Sequence, residues 1–209
     1  LVLPQLSAPG VSWPEVLRRS GFLAEYGPAR ARDLPLYLRE RKATPVMRRV
    51  EFPLVDRLVL IPLELVHAFP FMIIPALALW FLGFWFIAAE LVLAVLAGTV
   101  LFPVLLPLLP TKDLSTKGFI LGFLVTILPA TLGAGAFAPF QLAAAAAALL
   151  IFPPITAYLA LTFTGSTPFT SRTGVKKEIF RYVPVMAALA ISGAVLAIVA
   201  GAIRLLGVI

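Results

Sequence analysis

The chain has 209 residues, of which 61% are hydrophobic and only 13% are charged, and its mean hydropathy is +1.02. Soluble domains carry about 25% charged residues, so this composition excludes a water-soluble globule. The absence of cysteine excludes disulfides, thiolate metal ligands and a cysteine nucleophile within this sequence. Residues 1–58 hold ten of the 17 basic and six of the ten acidic side chains. A short polar head therefore precedes a long apolar body.

The polar head is predicted to alternate strands with helices. Leu1–Leu3 and Phe22–Tyr26 have the composition of short buried strands. Between them, Ser12 is a candidate N-cap and Gly21 a candidate left-handed residue at the helix end. A second helix is expected after Asp33, and its expected buried residues are Leu34, Tyr37 and Leu38. This order indicates the tail of a parallel α/β domain. Because the chain begins on a strand, with neither Met nor a signal peptide, we expect it to be a fragment whose upstream part is missing.

Two loops follow the predicted strands. In parallel sheets, ligands bind beyond the carboxyl ends of the strands, which makes Gln5–Gly10 and Tyr26–Arg30 candidate ligand-binding loops. The alternative interpretation is that both loops are ordinary turns.

A basic connector leads from the head to the apolar body. Its cations are Arg39, Arg41, Lys42, Arg48, Arg49 and Arg57. Cations beside a membrane are suited to anionic lipid headgroups, where each contributes about 1 kcal/mol. Nucleic-acid binding is disfavoured because no aromatic platform accompanies the charges.

The apolar body contains five segments long enough to cross the hydrocarbon core, which needs roughly 20 apolar residues. They are approximately 58–81, 85–109, 118–136, 140–163 and 182–206. The first and third connections carry no charge, whereas the second and fourth carry Lys and Arg. The positive-inside rule therefore predicts a cytoplasmic N-terminal head and an external C-terminus. The stripes Gly118/Gly122 and Gly193/Ala197/Gly201 predict close helix packing.

Three ionisable residues, Glu64, His67 and Glu90, lie inside the predicted spans. Glu64 and His67 are three residues apart and share a helical face. Intramembrane ionisable groups face a bundle interior and often mark proton or ion pathways. The competing hypothesis is structural: a Glu–His hydrogen bond, with Glu90 protonated or bonded to a neighbouring helix.

The last polar loop, residues 163–178, combines hydroxyls, glycines and cations. Such a loop is suited to holding an anion at a helix start. Helix capping and topology control explain the same residues, and the sequence does not decide between these interpretations.

Several motifs together resemble a known family. They are Leu3-Pro4-Gln5-Leu6, Ala8-Pro9-Gly10-Val11, Ser20-Gly21-Phe22, Tyr26-Gly27-Pro28, Arg30-Ala31, Asp33-Leu34-Pro35, Ala43-Thr44-Pro45, Met47-Arg48, Asp56-Arg57, Pro62 with Glu64, Phe163-Thr164-Gly165-Ser166-Thr167, Thr170-Ser171 and Gly174-Val175-Lys176-Lys177-Glu178. The head motifs are similar to the corrinoid-binding domain shared with the corrinoid iron–sulfur proteins of acetyl-CoA synthesis. In order and spacing, the whole set resembles the membrane-bound mercury-methylating corrinoid proteins, which carry five membrane helices after a cytosolic corrinoid domain.

The resemblance implies a mainly α fold. Residues 1–50 would be the C-terminal remnant of an α/β (Rossmann-like) corrinoid-binding domain with its basic connector, and residues 51–209 a five-helix transmembrane domain. It also implies a corrinoid-dependent methyltransferase that carries a methyl group on a cobalt corrinoid of the cobalamin type and transfers it to Hg(II), giving methylmercury. The cysteine thiolate that ligates cobalt in this family is absent, so the fragment alone is expected to be inactive.

The same resemblance assigns the remaining roles. The candidate corrinoid contacts are Gln5, Ser7, Ala8, Gly10, Tyr26, Gly27, Pro28 and Arg30, and the candidate partner-facing residues are Arg172, Lys176 and Lys177. The implied partner is a ferredoxin-like protein with two [4Fe–4S] clusters, and the implied location is the cytoplasmic membrane. The alternatives are a proton- or ion-coupled transporter subunit that uses Glu64, His67 and Glu90, and a structural anchor for a redox or methyl-transfer complex.

Overall fold

The structure is a computed structural model that describes residues 1–8, 10–49, 51–133, 139–163 and 172–206. The described chain is mainly helical, with little sheet. It divides into two compact units, which we call the N-terminal unit (Leu1–Phe52) and the helical unit (Pro53–Ile209).

The N-terminal unit contains strand β1 (Val2–Leu3), helix α1 (Trp13–Ser20), strand β2 (Glu25–Tyr26) and helix α2 (Leu34–Glu40). β1 and β2 pair in parallel, with Val2 opposite Glu25 and Leu3 opposite Tyr26, and α1 connects them. The predicted second strand is shortened to two residues. Phe22 and Leu23 are 60% and 64% exposed, and β1 is the only neighbour of β2 among the described residues.

At both ends of α1, the backbone has the conformation that the sequence predicts. Gly21 adopts the left-handed conformation, with φ of 73°, and its N–H donates to Leu17 O at 2.9 Å. Ser12 occupies the N-cap position in an extended conformation, although its side chain does not cap the helix.

The prediction for the buried face of α2 was only partly right. Tyr37 is 5% exposed, whereas Leu34, Leu36 and Leu38 are 37–47% exposed. One short helix on a small unit buries a single face, and here Tyr37 occupies that face.

The helical unit runs through six helices and one π-helical turn within its described residues. They are α3 (Leu54–Phe81), α4 (Trp85–Leu96), the π-helical turn Ala97–Leu101, α5 (Phe102–Leu105), α6 (Leu114–Gly133), α7 (Pro139–Thr162) and α8 (Arg172–Leu205). Among the described residues, four helical segments are long and apolar enough to cross a membrane: Leu54–Phe81, Trp85–Leu105, Leu142–Thr162 and Thr173–Ile203. Leu114–Ile127 is a shorter apolar stretch. These segments are compatible with a membrane protein.

The helix boundaries differ from the predicted spans for identifiable reasons. The second segment ends at Leu105 rather than 109, because Pro107 has no N–H with which to continue the hydrogen-bonded ladder. α8 begins at Arg172, ten residues before the predicted start. The prediction covered the apolar stretch alone, whereas the helix also includes the polar residues that precede it. The short connection after α3 is a tight turn, in which Gly83 has φ of 85°.

One buried cluster of the helical unit lies between α3, α4 and α7 and includes Met72, Leu91 and Phe152. Another lies between α7 and α8 and includes Leu161 and Met186. Thr156 on α7 is fully buried, and its Oγ1 donates to Ala94 O at 2.9 Å. This bond satisfies the hydroxyl and joins α7 to α4 across the core.

Glycines set the closest helix contacts. A Cβ atom on Gly118 would lie 2.6 Å from Ala157 Cα, and one on Gly122 would lie 2.6 Å from Pro153 Cα. The predicted contact of this stripe is therefore confirmed, with α7 as the partner. Gly193 similarly packs against Leu150 and Ile151, whereas a Cβ atom on Gly201 would meet no atom of the described residues within 4 Å.

Candidate functional site

The two candidate loops of the N-terminal unit lie side by side. The parallel pairing of β1 and β2 places both loops at one end of the sheet, and Gly27 N donates to Leu3 O at 2.8 Å. Farther along, Gln5 N donates to Pro28 O at 3.5 Å. Gln5–Ser7 forms a 3₁₀ turn, and Ser7 Oγ donates to Pro4 O at 2.7 Å. The sheet thus brings together the two segments that the sequence singled out.

Most polar groups in these loops are engaged in holding the unit together. The Tyr26 hydroxyl donates to Val11 O, and Arg30 Nη2 donates to Glu51 O at 2.7 Å. Gly27 and Pro28 are buried, and a Cβ atom on Gly27 would lie 2.7 Å from Val2 Cγ1. Glycine is therefore required at this position by internal packing.

Tyr37 lies beneath this loop pair, because a Cβ atom on Gly27 would also lie 3.5 Å from its Cε1. Burial raises the pKa of the Tyr37 hydroxyl, and the Glu25 carboxylate raises this pKa further. The hydroxyl is consequently protonated at neutral pH and acts here as a neutral group.

A corrinoid fits this site only in part. Ala8 and Gly10 are exposed, and Gln5 is half-buried. Among the described residues, a Cβ atom on Gly10 would have only Ser7 O nearby, at 3.7 Å. These three residues fit contact with the edge of a large planar ring. The two loops do not supply a cysteine or histidine ligand for the metal of such a ring. The chain has no cysteine, and its single histidine, His67, lies in the helical unit.

The helical unit contains a cleft of about 870 Å³ between α3, α4, α7 and α8. Its lining is mostly apolar, and its polar members are Glu64, His67, Tyr158 and Thr162. Glu64 and His67 therefore open into the same space, as their spacing predicts. Glu90 is half-buried on α4 and does not line this cleft. The predicted trio of ionisable residues is thus divided into a pair and a separate carboxyl group.

The start of α8 carries the predicted partner-facing residues. Lys176 and Lys177 are exposed, and Lys176 Nζ lies 5.9 Å from the centre of the Phe180 ring. Arg172 is the first residue of α8, and its side chain lies outside the described residues. Residues 164–171 of the preceding loop also lie outside them, so the proposed anion site in that loop has no structural description.

Glu178 has a structural role that the sequence did not indicate. Its carboxylate accepts hydrogen bonds from Leu114 N at 3.4 Å, Ser115 N at 3.2 Å and Ser115 Oγ at 3.0 Å. One turn along α8, the Tyr182 hydroxyl donates to Asp113 Oδ2 at 2.8 Å. A carboxylate from α8 therefore caps the N-terminus of α6, where backbone N–H groups lack intrahelical acceptors.

Arg57 corrects the prediction for the basic connector, which counted it among the cations suited to lipid headgroups. It is 8% exposed, and its Nη1 donates to Pro103 O at 2.9 Å and Val104 O at 3.1 Å. Its Nε is buried and has no hydrogen-bond partner among the described residues. Pro107 cannot donate to Pro103 O four residues earlier, so Arg57 supplies the missing donor. Pro103 and Pro107 are four residues apart, and this spacing is the sequence signal that Pro103 O needs a donor from outside its helix.

Within the described residues, no three His, Asp or Glu side chains form a group that could hold a metal ion. Comparisons of the chain with protein-family models, curated proteins and solved structures found no match.

Proposed function

We propose that this chain is the membrane-anchoring part of a corrinoid-dependent methyltransferase, which transfers a methyl group from a cobalt corrinoid to Hg(II) and forms methylmercury. The observation that carries the proposal is the parallel β1–α1–β2 arrangement with its paired loops, followed along the chain by helices of membrane length. The chemistry is inferred from the motifs that resemble the mercury-methylating corrinoid family.

In this proposal, the eight candidate loop residues have two kinds of role. Gln5, Ala8 and Gly10 contact the edge of the corrinoid, because Ala8 and Gly10 are exposed and the half-buried Gln5 belongs to the same loop. Their positions are fixed by the others, namely Ser7, Tyr26, Gly27, Pro28 and Arg30, through the internal contacts described above. When bound, the corrinoid would supply the methyl-carrying cobalt, while protein residues orient and bury it. The thiolate ligand would come from residues outside this sequence.

The proposed topology has five crossings of the cytoplasmic membrane, with α6 as the third. The N-terminal unit and the two charged connections face the cytoplasm, and the C-terminus lies outside. The support is the placement of basic residues, since Lys112 and Lys117 flank one connection and Arg172, Lys176, Lys177 and Arg181 flank the other.

The proposed partner is a ferredoxin-like protein with two [4Fe–4S] clusters, which returns cobalt to its reduced state. Lys176 and Lys177 offer exposed positive charge to such a partner, and Arg172 lies four residues before Lys176 in the sequence. Replacing all three with Ser should greatly reduce co-purification of the partner with the complete protein. Unchanged co-purification would remove these residues from the partner interface.

The main test is the visible spectrum of the complete protein purified in detergent. A corrinoid absorption band is expected, together with methylmercury formation from a methylated corrinoid and Hg(II). Gly10→Trp places a large side chain on the accessible loop and should lower the corrinoid content. Leu17→Trp is the matched control, because Leu17 is 39% exposed on α1 outside the two loops. A complete protein without corrinoid would contradict the proposal.

A second candidate function is proton-coupled or ion-coupled transport, which is favoured by the cleft that Glu64 and His67 share. The test is proton flux into liposomes that contain the purified chain and an enclosed pH-sensitive dye. Transport through the cleft predicts that the Glu64→Gln/His67→Gln double variant loses flux. Glu90→Gln is the control, because Glu90 does not line the cleft. If neither a corrinoid nor a flux is found, a structural anchor is the remaining proposal.

A further inference from the structure

The N-terminal unit carries an exposed surface that combines apolar side chains with cations. We call it the α2 surface, and its members are Leu34, Leu36, Leu38, Arg39, Arg41, Lys42, Val46, Arg48 and Arg49, all of which are exposed. Val46 is the most open of the apolar members, at 76% exposure. Exposed apolar residues interspersed with cations are typical of segments that lie in a membrane interface.

Helix geometry explains how α2 presents this surface. Successive residues are rotated by about 100° around the axis, so the face opposite the buried Tyr37 carries Pro35 and Arg39. Leu36 and Leu38 flank that face on either side. The chain then returns through a turn near Thr44–Arg48, in which Met47 is buried and its carbonyl accepts from Ala29 N at 2.9 Å. Val46 and Arg48, the sequence neighbours of the buried Met47, are both exposed.

The five cations of the α2 surface outnumber the acidic residues of the same segment, since residues 34–49 contain a single acid, the exposed Glu40. Arg41 Nη1 lies 3.6 Å from Glu25 Oε1, in a pair whose side chains are 70% and 45% exposed. The segment therefore carries a net positive charge beside its exposed apolar residues.

The covalent chain limits how far this surface lies from the first long apolar helix. Five peptide units separate Arg49 from Leu54, where α3 begins, and they span at most about 18 Å. A membrane that contains α3 therefore has the Arg48–Arg49 end of the surface within reach of its headgroup region.

From these observations we infer that the α2 surface is a membrane-docking site, in which the leucines and Val46 enter the interface and the five cations contact anionic lipid headgroups. The partner is the anionic leaflet because the surface is basic and its apolar residues are separate side chains rather than one deep groove. The inference does not depend on the methyl-transfer proposal, since it concerns the N-terminal unit and lipid alone.

The absence of cysteine allows a direct test with the full chain. Leu38→Cys introduces a single thiol for an environment-sensitive fluorophore, and the labelled chain is placed in vesicles of phosphatidylcholine alone or with phosphatidylglycerol. Docking predicts a blue-shifted emission, and quenching by spin-labelled lipid, in the anionic vesicles. Leu17→Cys on α1 is the matched control and should remain in a polar environment in both.

Two further measurements probe the charge dependence. Raising the salt from 0.1 to 1 M shortens the screening length from about 10 to about 3 Å. It should reverse the blue shift of the labelled Leu38→Cys chain that keeps all five cations. Arg39→Gln should lower the ratio of docked to undocked chains about fivefold. Equal emission in neutral and anionic vesicles, or an equal shift at Leu17, overturns the inference. If the fluorophore at Leu38→Cys reports a polar environment in every vesicle, the inference is also overturned, and a protein neighbour for these leucines is indicated instead.

Discussion

A single arginine shows how an apolar helical unit accommodates a broken helix. Arg57 lies in the first turn of α3, and its guanidinium reaches two carbonyl oxygens near α5. Unpaired buried carbonyls cost about 1–3 kcal/mol each, so the bond repairs a defect that proline creates. The buried Nε, which has no hydrogen-bond partner among the described residues, reduces the net gain.

We expect Arg57→Leu to lower the thermal midpoint of the detergent-purified chain by about 5 °C, which corresponds to about 2 kcal/mol at this size. The loss arises because Pro103 O and Val104 O no longer have a donor. Lys177→Gln is the control, because Lys177 is exposed. Equal midpoints for wild type and Arg57→Leu would show that the carbonyls find other donors.

Glu178 likewise acts at the scale of one residue, since it supplies acceptors to the first N–H groups of α6. Glu178→Ala should destabilise the helical unit by about 1–3 kcal/mol, the usual range for losing a cap or leaving a buried donor unpaired. Glu178→Gln retains one acceptor oxygen and should lose less. Thermal unfolding followed by tryptophan fluorescence measures both variants, and a larger loss for Gln than for Ala contradicts the capping role.

At the scale of helices, the contact between α6 and α7 depends on the absence of side chains at two positions. Backbone atoms of α7 occupy the places where Cβ atoms of Gly118 and Gly122 would lie. Such contacts allow close approach, which favours van der Waals packing where no hydrophobic effect drives association. Gly201 is also a helical glycine, but a Cβ atom there would have no close neighbour in the part of the chain that the structure describes.

Gly118→Ala and Gly122→Ala should each destabilise the helical unit by about 1–3 kcal/mol, because α7 must move to admit the added methyl group. Gly201→Ala provides an internal control and should be neutral or stabilising by up to about 1 kcal/mol, since alanine favours a helix. Thermal midpoints of the three variants in one detergent give the comparison. A loss at Gly201 equal to that at Gly118 would mean that the effect is not caused by helix contact.

Elements with strong periodicity or unusual residues were predictable from the sequence, whereas contacts between distant elements were not. The left-handed Gly21, the turn at Gly83 and the packing of Gly118 follow from local chemistry. The short β2 does not, because strand length depends on neighbouring strands. Nor does the exposure of Leu38, because a helical pattern does not specify what covers it. The pairing of Glu178 with Ser115 spans 63 residues, and no local pattern encodes it.

For the whole molecule, the proposed five crossings predict which connections are reached from each side of the membrane. Leu82→Cys lies just before the second segment, Trp85–Leu105, and Lys112→Cys lies after it. Each thiol is single, because the chain has no other cysteine. A membrane-impermeant reagent added to intact cells should label Leu82→Cys, and should label Lys112→Cys only after permeabilisation.

Ser20→Cys on α1 serves as the reference for the cytoplasmic side in the same labelling experiment. Labelling of both connections from one side would exclude a crossing between them and would contradict the topology. Labelling of Ser20→Cys in intact cells would reverse the orientation while leaving the number of crossings unchanged.

The bond made by Arg57 also bears on how the protein is synthesised. Its carbonyl acceptors lie 46 and 47 residues farther along the chain, and translation at about 5–20 residues per second delays them by about 2–9 s. During that interval the guanidinium has no permanent acceptor, and the nascent first helix must keep it hydrated at the bilayer edge. The first two hydrophobic segments are therefore expected to enter the lipid as a hairpin rather than one after the other.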